Sequence, residues 1–110
     1  MHEPLTDPQI LYFSPADETH VRREKARARE LRQSQWWRNQ IGRGVCHYCG
    51  NKFEKAQLTM DHVVPIVRGG RSTKANVVVA CKECNSHKKY WTPVELELMS
   101  RNSVLETEKN

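Results

Sequence analysis

Four cysteines, an Asp-His pair and two asparagines crowd into the stretch from Cys46 to Lys89. The cysteines form two pairs of one spacing, Cys46-x-x-Cys49 and Cys81-x-x-Cys84. Two sulfurs three positions apart can converge on one ion, while a tight turn, here closed by Gly50, turns backbone N–H groups toward them. Four thiolates complete a tetrahedral shell with no open position for water, so the spacing predicts a structural Zn²⁺. Between Cys49 and Cys81 lie 31 residues, so the ion must join distant parts of the chain. Disulfides are the alternative, but CxxC pairs in a basic chain that opens without a secretory leader favour metal ligation.

The Asp61-His62 pair lies between the two cysteine pairs. A carboxylate prefers hard, oxygen-seeking cations such as Mg²⁺, and a neutral imidazole can take a proton from water. Taken alone the dipeptide is more often a surface-loop pair or a satisfied hydrogen-bonded couple than a site. On an ideal strand the two side chains would point to opposite faces, so a shared site requires the strand to end or twist there, which Pro65 favours.

The elements that must position these groups follow from local signals. Ser14-Pro15-Ala16-Asp17 reads as a helix start with serine as N-cap. No glycine or proline interrupts the next stretch until Gly42, so one helix is predicted over 15–41. Its apolar residues are thin (Val21, Ala28 and Leu31, then Trp36, Trp37 and Ile41), so most of it should project into solvent while the two tryptophans anchor the end on the core. Residues 58–64 and 76–80 read as strands, the second too uniformly β-branched to be exposed. Between them Gly69-Gly70 marks a loop. A short helix should follow Cys81, bearing Asn85, His87 and Lys88. His87 should face away from Asn85, whereas Lys88, three positions on, could reach a phosphate. Thr92-Pro93-Val94-Glu95 is a capping box; its helix, with Leu96, Leu98 and Met99, should close over the zinc end. The class is α+β, divided into a tail (1–14), a basic helical arm (15–41), the metal-bearing domain (42–100) and a C-terminal tail (101–110).

Net charge is +5, and its placement is informative. Residues 20–43 carry eight Lys or Arg against two acids, and residues 46–91 carry eight against three. Positive charge concentrated on a helix and on the cysteine-bearing domain is the footprint of a polyanion partner. Arg22, Arg23, Lys25, Arg27, Arg29 and Arg32 spread around the helix, which suits contact with phosphates rather than base edges; Arg68 and Arg71 add to it from the loop. No apolar run reaches the roughly 18 residues of a membrane span. The opening residues lack a basic n-region and an apolar h-region, so a cytoplasmic location is expected.

The order CxxC, Asp-His-Val-Val-Pro, Gly-Gly, Asn-Val and CxxC-Asn-x-x-Lys, from Cys46 to Lys88, resembles the HNH endonucleases, the ββα-metal superfamily, in its four-cysteine zinc branch. The resemblance implies a small ββα-metal core and position-specific roles. His62 matches the general base, Asp61 a ligand of the catalytic divalent ion, and Asn76 the central asparagine that braces the loop and orients the histidine. Asn85 stands where the family's last histidine usually does, a His-Asn-Asn variant, and would complete the protein ligands. That donor set points to Mg²⁺ or Mn²⁺. The implied activity is metal-dependent hydrolysis of phosphodiester bonds in double-stranded DNA. One metal site per chain should nick, and with no dedicated reading element sequence specificity should be low. The competing class is a zinc-stabilised nucleic-acid-binding module without catalysis. RNA as substrate and the oligomeric state stay open.

Overall fold

Strands β1 (Leu58–His62) and β2 (Val77–Cys81) pair antiparallel, with Leu58 opposite Cys81 and His62 opposite Val77. The computed structural model describes the backbone of residues 16–109 and the side chains of residues 16–101; the predicted tail and Ser14 cap lie outside them. In chain order the described helices are α1 (Glu18–Arg32), α2 (Gln35–Gly42), α3 (Lys82–Lys88) and α4 (Pro93–Lys109), with 3-10 turns at Lys55–Gln57 and Ile66–Arg68. The architecture is α+β, as expected.

Two strands alone are marginal in water, so this sheet depends on what covers it. Helix α3 packs against both strands and α2 against β2. The core joins Ala28 and Trp37 to Leu58, Met60, Val77, Val79 and Ala80, with Cys46 and Cys81 buried among them. Trp36 packs against this core beside Trp37, so the tryptophans are anchors, as predicted.

The single helix predicted over 15–41 is two, and it starts later. Asp17 is itself the N-cap, its carboxylate accepting the His20 N–H at 2.8 Å, so helix begins at Glu18. The break falls at Gln33-Ser34. The Ser34 hydroxyl donates to the Leu31 carbonyl at 2.6 Å and accepts the Trp37 N–H at 3.2 Å. One side chain thus ends α1 and caps α2, offering the backbone the local alternative that disfavours serine within helices.

Nor does α1 project into solvent. It lies along the 66–72 loop, with Ala28 in the core and Leu31 packed against it, and is held there as well by polar contacts that apolar periodicity does not register. Ala16 donates its N–H to the Val67 carbonyl at 2.7 Å, the His20 ring donates to the Gly70 carbonyl at 2.9 Å, and Glu24, fully buried, binds Ser72. Helix α4 also departs from expectation. The predicted capping box forms, with Thr92 Oγ1 donating to Glu95 at 2.9 Å, but Leu98 and Met99 are about half exposed. A bidentate pair from Arg68 to Glu95, at 3.0 and 3.2 Å, ties the first turn of α4 to the loop. The backbone stays helical to Lys109, past the predicted fraying point near Arg101.

Candidate functional site

The two cysteine pairs converge. All four sulfurs lie within 4.8 Å of one another, which fits the tetrathiolate shell that the spacing predicts. The first knuckle turns at Gly50, at φ +73°, and is tied to the sheet by the His47 N–H donating to the Val79 carbonyl at 2.7 Å. Tyr48 N–H points at the Cys46 sulfur at 3.3 Å and Cys84 N–H at the Cys81 sulfur at 3.4 Å. Burial pushes the Cys46 thiol up, but backbone N–H groups of Cys49, Cys81 and Tyr48 outweigh it and bring it down to about 6. The neighbouring Cys81 sulfur, reinforced by burial, drives Cys84 the other way, to about 12. The cluster by itself therefore resists four simultaneous negative charges. A dication supplies the missing charge, so the donor set fits a structural metal such as zinc.

Asp61 and His62 end β1, where the chain bends at Val63 and Val64. They leave the strand from alternate sides, yet both border one open cleft of about 250 Å³, together with Asn85 from α3. The end of the strand makes this possible, as the sequence required. A larger cavity of about 350 Å³ lies between Trp36, Trp37 and β2; His47 borders it but no carboxylate does, so it lacks the paired acid and imidazole of the smaller cleft.

Asp61 is buried, and its Oδ2 accepts a hydrogen bond from the Tyr48 hydroxyl and forms an ion pair with the Lys88 ammonium at 3.2 Å. Burial, then the bond to Asp61, raises the Tyr48 phenol far above its usual range, so it remains a donor. Among the described residues Oδ1 of Asp61 has no hydrogen-bond partner. One carboxylate oxygen and the Asn85 amide beside the same cleft are hard donors that suit a cation retaining most of its water. Tyr48 was not singled out from sequence, because nothing in a knuckle's spacing shows which residue across the sheet it will meet.

The His62 ring is half-buried, and its Nε2 lies 2.9 Å from the Ser72 hydroxyl. Burial lowers its pKa from the ordinary histidine value; Asp61 opposes this, while Arg32 and Lys88 add to it. The imidazole is thus neutral near pH 7, the form that accepts a proton. Asn76 braces the connecting loop. It accepts the Val64 N–H at 2.9 Å and donates to the Val64 and Arg71 carbonyls at 3.0 and 2.8 Å. No bond joins it to the His62 ring; that contact belongs to Ser72. Gly70 lets the loop close, because a Cβ there would sit 1.7 Å from the Val64 carbonyl oxygen.

Residues 46–90 match the HNH endonuclease family. The match spans both knuckles, β1, the braced loop, β2 and α3, and indicates a nuclease or nucleic-acid-binding function. No curated protein matches the chain. Among the described residues no helix is long and apolar enough to cross a membrane.

The basic residues around the HNH segment divide in two. Arg22, Lys25, Arg29, Arg32 and Arg71 are exposed and make no ion pair among the described residues. Arg23 and Arg27, half exposed, pair with Glu24 at 3.4 and 2.8 Å. Two expected phosphate contacts turn inward: Arg68 grips Glu95, and Lys88, 4 % exposed, binds Asp61 and the His62 carbonyl. Helical spacing had favoured Lys88 for the cleft, but α3 ends there. Lys89 caps it at φ +51°, and it is Lys89, with Tyr90, that borders the cleft. His87 is exposed.

Proposed function

We propose that this protein is a divalent-metal-dependent endonuclease that hydrolyses DNA phosphodiester bonds, nicking duplex DNA with low sequence specificity. One observation carries the reading: Asp61, His62 and Asn85, drawn from a strand end and a helix, border a single open cleft. His62, neutral and held at Nε2 by Ser72, takes the proton of the attacking water on its other ring nitrogen. Lys89 at the rim and Arg32, near enough to act on the His62 charge, draw the phosphate in. Asp61 and Asn85 would hold Mg²⁺ or Mn²⁺, which when bound supplies positive charge to the scissile phosphate and the leaving 3′ oxygen. The exposed arginines of α1 add backbone contacts whose strength falls steeply with salt. Ends bearing 5′-phosphate and 3′-hydroxyl are expected, by resemblance to the family.

A supercoiled plasmid incubated with the protein and a series of divalent ions tests this. Conversion to open circles is expected, and His62→Ala should slow it by roughly 10²–10⁴-fold, the usual worth of a general base. Equal cutting by that variant, folded and binding DNA, would remove His62 from the role. A second reading rests on the engagement of Asp61 Oδ2 by Lys88 and Tyr48, which already offsets the carboxylate without a cation. On that reading the protein is a zinc-braced binder, and the same mixture gives a mobility shift but no open circles.

A further inference from the structure

Glu24 is a buried carboxylate on a helix that lies outside the HNH match, and nothing in the proposed reaction uses it. A carboxylate taken from water is costly even when paired, and an apolar residue of similar size would commonly stabilise a core as well or better. Its partners show where it acts. Oε1 accepts the Ser72 N–H at 2.7 Å, the Glu24 backbone carbonyl accepts the Ser72 hydroxyl proton at 2.6 Å, and Ser72 Oγ stands 2.9 Å from His62 Nε2. Arg27 and Arg23 neutralise the remaining oxygen at 2.8 and 3.4 Å.

Proton counting along this line leaves one arrangement. A hydroxyl carries a single hydrogen. A backbone carbonyl can only accept, so the Ser72 hydrogen points at Glu24. Toward His62 the same oxygen can then only accept, and Nε2 must carry the ring proton. The lone pair is left on Nδ1.

We infer that Glu24 and Ser72 are positioning residues that fix the tautomer and orientation of the His62 imidazole, so that Nδ1 is the atom that receives the proton; this rests on His62 being the base of the proposed reaction. Glu24 holds Ser72 at two points, its N–H and its hydroxyl, and Ser72 in turn holds the ring. Helix α1 thereby serves the site as well as the DNA backbone. The Gly69-Gly70 turn, the His20 bond to the Gly70 carbonyl and the Asn76 brace keep Ser72 at the required height. A ring without this acceptor would sample both tautomers and rotate about its side-chain torsions, losing encounters with water without losing substrate.

The test reads the ring directly. Long-range ¹H–¹⁵N correlation on the zinc-loaded, full-length protein without DNA should show His62 with a protonated Nε2 and an unprotonated Nδ1. Ser72→Ala should produce exchange between tautomers at His62 and lower kcat for plasmid nicking about 10- to 100-fold, the usual cost of losing an outer-shell partner of a functional histidine, with KM within about twofold. Ser72→Thr, which keeps the hydroxyl, should restore the single tautomer and most of kcat. Glu24→Gln, whose amide oxygen can still accept the Ser72 N–H, should likewise keep the single tautomer. A protonated Nδ1 with a bare Nε2 in the parent overturns the inference, as does Ser72→Ala with unchanged kcat and an unchanged ring spectrum. The spectrum needs no cleavage, so a parent protein that fails to nick would defeat the nuclease reading while leaving the hydrogen-bond line testable.

Discussion

Replacing Lys88 by methionine keeps an unbranched side chain of similar length and removes only the ammonium. In the parent that ammonium, 4 % exposed, lies 3.2 Å from Asp61 Oδ2 and donates to the His62 carbonyl at 2.8 Å. The variant leaves a buried carboxylate with Tyr48 as its one remaining hydrogen-bond donor among the described residues, and a strand-end carbonyl that loses its lysine partner. Breaking one side of a buried pair costs about 3–5 kcal/mol, whereas a solvent-exposed pair is worth about 0–1 kcal/mol. Against a total stability of about 5–15 kcal/mol, Lys88→Met should be severely weakened. Urea unfolding followed by far-UV circular dichroism, with zinc kept stoichiometric, measures this as a lower midpoint at constant m. Two companions identify the cause. Asp61→Asn combined with Lys88→Met should recover most of the loss, because no charge is then left buried and unpaired. Added Mg²⁺ should stabilise Lys88→Met more than the parent, because the freed carboxylate attracts a cation more strongly. A loss below about 1 kcal/mol, with no gain in Mg²⁺ response, would refute the account of Asp61 as a buried charge held by Lys88.

Three further outcomes follow from single features. At Gly70 an added Cβ would meet the Val64 carbonyl oxygen at 1.7 Å, whereas at Gly69 it would meet nothing and only the φ of +95° is strained. Gly70→Ala should therefore cost about 3 kcal/mol or more, at or beyond the top of the overpacking range, and Gly69→Ala about 1–2 kcal/mol; thermal melts that rank them the other way would contradict the loop geometry. The Ser72 N–H is the main group holding the Glu24 carboxyl below the usual carboxylate range; burial opposes it, and Arg27, Arg23 and His20 add to it. A depressed folded-state pKa gives stability that is present above the unfolded value of about 4.5 and lost as pH falls through the folded one. Glu24→Gln should accordingly flatten the acid limb of the stability curve below that pH, read from urea midpoints between pH 2 and 6; an unchanged slope would count against the ion-paired state. Removing zinc with a strong chelator should abolish the cooperative transition, stoichiometric zinc should restore it, and cobalt(II) in its place should show the ligand-field bands of a tetrahedral tetrathiolate.

The four-cysteine centre is legible in the sequence because its signals are local and covalently spaced. A CxxC knuckle, a capping box and a β-branched run each declare themselves within a few residues, and Cys46, Cys49, Cys81, Cys84, Thr92 and Glu95 stand as that reasoning placed them. The sparse apolar residues of α1 predict a solvated arm, but Ala28 and Leu31 suffice to seat it on the core, and Glu24 and His20 add polar contacts that apolar periodicity does not register. The angle of Lys88 around α3 predicts a phosphate contact, but it cannot show that the helix stops there and that Lys89 borders the cleft.

The sequence alone determines an α+β chain with four cysteines spaced to hold a metal and an Asp-His pair set between their two pairs. Which atoms surround that pair was decided only in three dimensions. Tyr48, Lys88 and Ser72 come from separate elements, and Ser72 is in turn held by Glu24, 48 positions away in the chain. Spacing along a chain constrains neighbours through covalent geometry. The buried hydrogen bonds that set charge and tautomer are made between segments whose separation only folding removes.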